Sequence, residues 1–415
     1  MQPSRIDTHT MENGLVVLGE TMPWLHTAAF SMLFPAGAIR DPQGQLGLAT
    51  VACEVVERGC GENDSRQFLE AVELLGASTT NSVSTYHTSF SGSCISEQLY
   101  PLLQLYGDLS RHPHLPEAEL EPSKLVAMQE LYSQQDDLGQ LTLRRLRKLY
   151  FGETLGRWPD GELEDIEGLQ YQNIVDFYRR HYSPQQMILS VAGNFQWETV
   201  LKLAEEIWGD WQPTDHSVLP FQLGEVDYQH EQHDSQQTHI ALAAPTVPFG
   251  QDDYFLARCA IGILGDGMSS RLFQEVREKR GLCYTVFAGI HSVKDAACIT
   301  AYAGTTSARA QETLDTMVAE MERLSEGVSE DEVRRLKIQI RTGLMSQQES
   351  CRSRAGALAG DWFYLGRVRT QDEINQLVED LTAQRVNRYL AENPIQLKSA
   401  VTVGPAPLEM PRAFA

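Results

Sequence analysis

The chain has 415 residues, 42% of them hydrophobic, enough for two to four domains with sizeable cores. Acidic residues outnumber basic ones, 56 against 34, and the net charge of −22 argues against nucleic acid and anionic membranes as partners, since both demand basic patches. No run approaches the roughly 18 apolar residues of a membrane helix. The opening MQPSRIDTHTMENG lacks the charged and apolar regions of a signal peptide. The expectation is a soluble, cytoplasmic protein, or a periplasmic one where a cleaved leader precedes this sequence. Cysteines 53, 60, 94, 259, 283, 298 and 351 are odd in number and lack CxxC spacing, so they read as buried, reduced thiols.

In chain order, residues 13–20 (NGLVVLGE) form a turn and a strand, and residues 28–34 a second strand ended by Pro35. After DPQGQ comes the helix GLATVACEVVERG, with Leu48, Val51, Ala52 and Val55 on its apolar face. Asp64, with Gln67 three residues on, is a capping-box pattern. The helix it opens buries Phe68, Val72 and Leu75 and ends at Gly76. Residues 82–94 alternate as one strand, and 97–110 are helical. A long helix from about Pro116 carries Leu120, Leu125, Met128 and Leu131, and residues 141–151 form another before the loop GETLGRWPDG.

Residues 166–195 run helix, Pro-containing turn, strand, glycine, and the same order returns from Ile374 to Gly404. Tyr178 to Gly193 and Tyr389 to Gly404 are both 15 residues. The second half also opens as the first does, with a strand at 239–244, the loop PTVPFGQDD and a helix at 254–264. An internal repeat of about 200 residues follows. It divides the chain into domains 1–212 and 236–415, with polar residues 213–235 as a linker. Strands mixed with long helices give an α+β reading, each half a sheet with helices packed on one face. Ser329 to Glu332 is a second capping box, opening a helix through Val333, Leu336, Ile340 and Leu344.

Residues 265–286, GDGMSSRLFQEVREKRGLCYTV, pass from a glycine turn into a helix with Met268, Leu272 and Val276 on one face. The helix stops at Gly281, after a basic run, and a strand follows. Arg271 lies in the first turn and Tyr284 opens the strand. Folded back, the two could face one groove as cation and phenol, although spacing alone favours a surface arginine and a half-buried strand tyrosine. His112-Pro113-His114 reads as an exposed turn, and His230 with His233 lies in the linker with no helix to set ligand geometry.

Together with NGL, FPAGAIRDPQGQLGLA, FGETLGR and FYRRHYSPQQMILSVAGNF, that stretch makes nearly the whole chain resemble the pitrilysin/insulinase-type metallopeptidases. These include the mitochondrial processing peptidases and their two-domain bacterial relatives. The resemblance implies two homologous domains of the LuxS/metallohydrolase-like type, each with a mostly antiparallel sheet, forming half of a clam-shell. The family's inverted HxxEH motif sets two zinc-binding histidines one helical turn apart, with the glutamate as general base for a zinc-bound water. Here Thr50-Val51-Ala52-Cys53-Glu54 stands at that place. Thr50 and Glu54 replace the histidines, Cys53 replaces the base, and Glu130 matches the third ligand.

Cys53, Glu54 and Glu130 offer a thiolate and carboxylates to a metal, but no imidazole and no base. The plainer reading makes Thr50 and Cys53 core fillers, and Glu54 and Glu130 solvated. No zinc is expected in this chain. The family's two-subunit form implies zinc in an HxxEH-bearing partner and an Arg/Tyr pair, matched here by Arg271 and Tyr284, that assists cleavage of unfolded peptides. His87, on the expected strand 82–94, would line the substrate cavity by the same resemblance. The expected function is therefore the non-catalytic, substrate-binding subunit of a heterodimeric zinc endopeptidase. The alternative is an inert scaffold homologue like the core subunits of a respiratory complex. The missing imidazoles weigh against a self-sufficient homodimeric protease.

Overall fold

The computed structural model of the chain describes residues 5–410. Residues 1–4, part of the N-terminal stretch read for a leader, lie outside them. The strands are β1 Arg5–Thr10, β2 Val16–Thr21, β3 Thr27–Phe34, β4 Gly59–Cys60, β5 Asn63–Asp64, β6 Ser78–Val83, β7 Thr88–Ile95, β8 Ile188–Gly193, β9 Asp227–Gln232, β10 Gln237–Pro245, β11 Cys283–Ser292, β12 Ala297–Thr306 and β13 Ser399–Gly404. The first half carries helices α1 Leu48–Val56, α2 Ser65–Leu74, α3 Leu99–Arg111, α4 Leu120–Asp136, α5 Leu138–Leu155, α6 Leu163–Gly168, α7 Tyr171–His181 and α8 Trp197–Trp208. The second carries α9 Tyr254–Gly265, α10 Ala310–Leu324, α11 Glu330–Gln348, α12 Cys351–Leu365, α13 Gln371–Glu379 and α14 Ala383–Glu392. Among the described residues no helix is long and apolar enough to cross a membrane.

The chain forms two compact units, neither continuous in sequence. Unit 1 comprises Met1–Tyr132, Arg157–Pro220 and Met345–Val368, and unit 2 comprises Ser133–Gly156, Phe221–Leu344 and Arg369–Ala415. The sequence division at 212 and 236 is thus crossed twice, because α5 belongs to unit 2 and α12 to unit 1. Residues 213–235 are not all linker either, since β9 is a sheet strand within them.

The sheet of unit 1 has the order β1-β2-β8-β3-β7-β6, antiparallel except for the parallel pair β2/β8. Alternation in β3 sends Phe30, Met32 and Phe34 to a core with α1, α3, α7 and α8, where Tyr106 and Trp208 are fully buried. Ala29 faces the other way, joining Leu18 and Ala192 beneath Ala355, Leu358 and Ala359 of α12. Helices were expected on one face only, and α12 covers the second. Ser350 caps its start by accepting from the Ser353 amide, and Gly366 ends it in the left-handed region at φ 66°. Its small residues approach the strands closely, and the Ser190 hydroxyl lies 2.7 Å from the Ala355 carbonyl. Arg354 binds Glu20 of β2 at 2.6 and 2.7 Å, with side chains only 7% and 6% exposed.

The sheet of unit 2, in the order β11-β12-β10-β13-β9, is built alike, with one parallel pair, β13/β9. Its exchanged helix α5 lies against β10 and β13, where the Tyr150 hydroxyl donates to the Ala297 carbonyl at 3.0 Å. Three expected elements are split. A turn closed by Ser84 and His87 separates β6 from β7. Residues 166–182 begin within α6 and continue as α7, and the helix from Ile374 is α13 and α14, the second capped by Thr382.

Deleting one member of a buried ion pair leaves the other charge stranded, which costs about 3–5 kcal/mol. Glu20→Gln and Arg354→Met should each lower the unfolding free energy measured in urea by that amount. The double variant Glu20→Leu/Arg354→Met should recover most of the loss. A single variant as stable as the parent would show that the pair does not hold α12.

Candidate functional site

In unit 2, α9 runs to Gly265, where a Cβ would lie 2.0 Å from the Ala288 amide nitrogen, so only glycine fits. Gly267 turns the chain at φ 84°. One helical turn leads into a π-helix, Phe273–Glu278, in which the Lys279 amide reaches back five residues to the Gln274 carbonyl. Leu272 and Val276 are fully buried as expected, but Met268 precedes the helix and is 76% exposed. The edge strand β11 follows, with a register shift between Cys283 and Thr285 that leaves Tyr284 as the bulged residue. A bulge re-aims its side chain, and Tyr284 is 87% exposed.

Arg271 and Tyr284 have different neighbours. The Arg271 guanidinium binds both oxygens of Glu332, at 2.8 and 3.2 Å, and donates to the carbonyls of Gly327 at 2.7 Å and Arg323 at 3.3 Å. Burial pushes the Glu332 carboxyl up, but hydrogen bonds from Arg271 and Ser329 outweigh it and hold the group at about 2. At neutral pH this is a fixed, bidentate ion pair, and the cation serves the loop before α11. The guanidinium beside Tyr284 is that of Arg277, 5.7 Å from its ring and 4.7 Å from Phe273. Sequence spacing gave no sign of this, because the reading assumed a regular α-helix.

In unit 1, Asp41 caps α1 by accepting from the amides of Gly47 and Ala49, both at 2.8 Å. Burial raises its carboxyl to about 7 although those amides and Arg157 pull it down. The zinc-motif positions go separate ways. The Thr50 hydroxyl donates to the Pro159 carbonyl at 2.6 Å. Cys53 is 2% exposed, and burial pushes its thiol far above the usual range. Glu54 pairs with Arg58 at 3.2 Å, and Glu130 is exposed on α4. One turn beyond Glu54, Glu57 accepts from the Asn81 amide, and burial raises it to about 7.

His87, expected on a strand, sits in the β6/β7 turn, 8% exposed and 4.3 Å edge-on to Phe363. His114 meets the Gly61 carbonyl at 2.7 Å, and His230 meets the Thr402 hydroxyl at 2.9 Å. All seven cysteines are free thiols, and only Cys283 is not buried. Among the described residues no group of three or more His, Cys, Asp or Glu side chains is arranged to hold a metal ion.

Residues 16–157 match the domain family described as Insulinase (Peptidase family M16), and residues 168–340 match Peptidase M16 inactive domain. A Rickettsia bellii protein described as an uncharacterized zinc protease is 23% identical over 401 residues, covering 95% of this chain and 96% of its own. The Bacillus subtilis uncharacterized zinc protease YmxG is 24% identical over 390 residues, covering 92% and 94%. The crystal structure of a peptidase M16 inactive domain from Pseudomonas fluorescens shares the fold, with a TM-score of 0.89 at 21% identity over 98% of this chain and 100% of its own. The zinc in the relatives' names does not fit α1 here. Thr50 is committed to a carbonyl, Cys53 is a neutral core thiol, and Glu54 already has a cation.

The raised carboxyl of Glu57 yields a pH test. A group whose folded pKa exceeds its unfolded value favours folding below the unfolded value, near 4.5, and that favour is lost as pH rises through about 7. Glu57→Gln should therefore match the parent at pH 4.5 and gain on it above pH 7, by at most about 3 kcal/mol. Urea unfolding at both pH values checks this, and a pH-independent difference would refute the buried-carboxyl account.

Proposed function

Because the chain belongs to the insulinase-type peptidase family M16, we propose that it is the non-catalytic, substrate-binding subunit of a two-subunit zinc endopeptidase. Its partner is a homologous chain that carries HxxEH and the zinc. The observation that carries the reading is the contrast between the two candidate sites. Around residues 50–54 every side chain that could serve a metal is occupied, buried or paired. At 284 an aromatic hydroxyl stands in solvent on a bulged edge strand, with a guanidinium against its ring. Tyr284 presents a hydrogen-bond donor to a peptide carbonyl, or to the oxyanion formed when a partner's zinc-bound water attacks it. Arg277 holds the ring, and Arg271 positions the loop through Glu332. Unfolded peptides are the fitting substrates, since an edge strand meets extended backbone. The scaffold reading draws support from the same occupied α1 site, and the exposure of Tyr284 favours the catalytic assembly.

The test reconstitutes the chain with an HxxEH-bearing homologue and follows cleavage of an unstructured peptide. Tyr284→Ala and Arg277→Ala should each lower kcat/KM about tenfold, roughly 1.4 kcal/mol of transition-state binding, with an unchanged melting temperature. Arg271→Ala should act first on stability, lowering the melting temperature, because it strands Glu332. A partner fully active alone, or indifferent to both Tyr284→Ala and Arg277→Ala, would leave the scaffold reading standing instead.

A further inference from the structure

The two sheets repeat one another with one strand of difference. Strands β2-β8-β3-β7-β6 of unit 1 correspond in order and direction to β9-β13-β10-β12-β11 of unit 2, each set containing a single parallel pair at the same place. Unit 1 continues outward with β1, whose six residues pair antiparallel with β2 from Arg5↔Thr21 to Thr10↔Val16. Ile6 of that strand packs into the cluster beneath the exchanged helix α12. Unit 2 stops at β9, and among the described residues no strand pairs beyond it. At the corresponding corner, between β9 and the exchanged helix α5, lies a cleft of about 780 Å³.

The main chain of β9 is ready for a further strand. The Asp227 amide donates to the Lys398 carbonyl and the His233 amide to the Gly404 carbonyl. Odd-numbered residues therefore face β13, and the backbone groups of Tyr228, His230 and Gln232 face outward. The cleft wall is acidic, with Glu153, Glu225, Asp227 and Glu231 against Arg145 and Lys148. Arg145 is already bound to Glu231 at 2.9 Å, while Glu225 and Asp227 stand exposed.

We propose that this slot is a strand-addition site, and that it takes an extended, basic segment of another polypeptide, about six residues long, pairing antiparallel with β9. Main-chain hydrogen bonds to residues 228, 230 and 232 supply affinity. The carboxylates select lysine or arginine at alternate positions, because side chains two apart share a face. The site belongs to this chain alone, so it stands or falls independently of the zinc-bearing partner.

The probe is a capped peptide of about eight residues alternating lysine and valine, titrated into the full chain, with an alternating glutamate–valine peptide for comparison. The lysine peptide should bind saturably and slow amide exchange at Tyr228, His230 and Gln232. Its glutamate counterpart should bind at least about tenfold more weakly, roughly 1.4 kcal/mol. Gln232→Pro removes an outward N–H that β13 does not use and should weaken binding by a similar factor. If that variant melts early, the exposed charge reversals Glu225→Lys/Asp227→Lys decide the matter in its place. Equal affinity for both peptides, protection confined to the edge strands β1, β6 or β11, or indifference to the substitutions at 225, 227 and 232 would overturn the proposal.

Discussion

Glu20 occupies a strand of the unit 1 sheet where its carboxylate is largely shut off from water, and the cation that neutralises it arrives 334 residues later on α12. A helix face made of Ala355, Leu358 and Ala359 approaches a sheet closely but has little shape to fix its position along the strands. The ion pair and the Ser190 hydroxyl supply the directional contacts that such a face lacks. Unit 2 solves the same problem with α5, where Tyr150 donates to the Ala297 carbonyl and Lys398 lies over the tyrosine ring. Each half of the sequence thus supplies a helix to the other half's sheet. Neither half taken alone contains the helix that covers its own second sheet face. Assembly depends on contacts of long sequence separation, which are entropically slow to form.

The repeat was legible in the sequence because its marks are local. The 15-residue spacing from Tyr178 to Gly193 and from Tyr389 to Gly404, and the strand, loop and helix that open each half, all lie within short stretches of sequence. The exchange was not legible, because a helix's destination is a tertiary fact. The α12 sequence, CRSRAGALAGDWFYL, buries an arginine and an aspartate on the same side as its alanines. Its burial pattern therefore does not coincide with its hydrophobic pattern, and no apolar stripe announces it. Strand β9 was hidden for a similar reason. DYQHEQ is polar at nearly every position because it forms an edge, and an edge strand has little need of apolar side chains.

Around residues 265–286 the sequence located the region and left its geometry open. A helix beginning at Met268 would have carried that residue onto the buried face, but the helix begins after it. The π-turn at Phe273–Glu278 and the bulge at Tyr284 each add one residue's worth of rotation to the backbone. Together they change which cation meets the phenol. Neither device has a sequence signature at this level, and both are common where a side chain must be aimed. Glu332 then fixes where Arg271 lies, because a bidentate partner and two carbonyls hold the guanidinium.

Helix α1 shows what becomes of a metal-helix position when it carries other residues. The segment keeps every feature that places the helix. Asp41 caps it, Gly47 turns into it at φ 97°, and Leu48, Val51, Val55 and Val56 fasten it into the core. What differs is at 50 and 54, where each side chain is held by a neighbour that a metal would have to displace. Histidines at 50 and 54 alone would not restore the catalytic set. Cys53 would still fill the place of the general base, and Glu130 would still lie exposed on α4. A tetrahedral site needs its ligands converging from two helices with the second-shell contacts that orient them. Here the contacts around α1 serve Thr50, Glu54 and Glu57 instead.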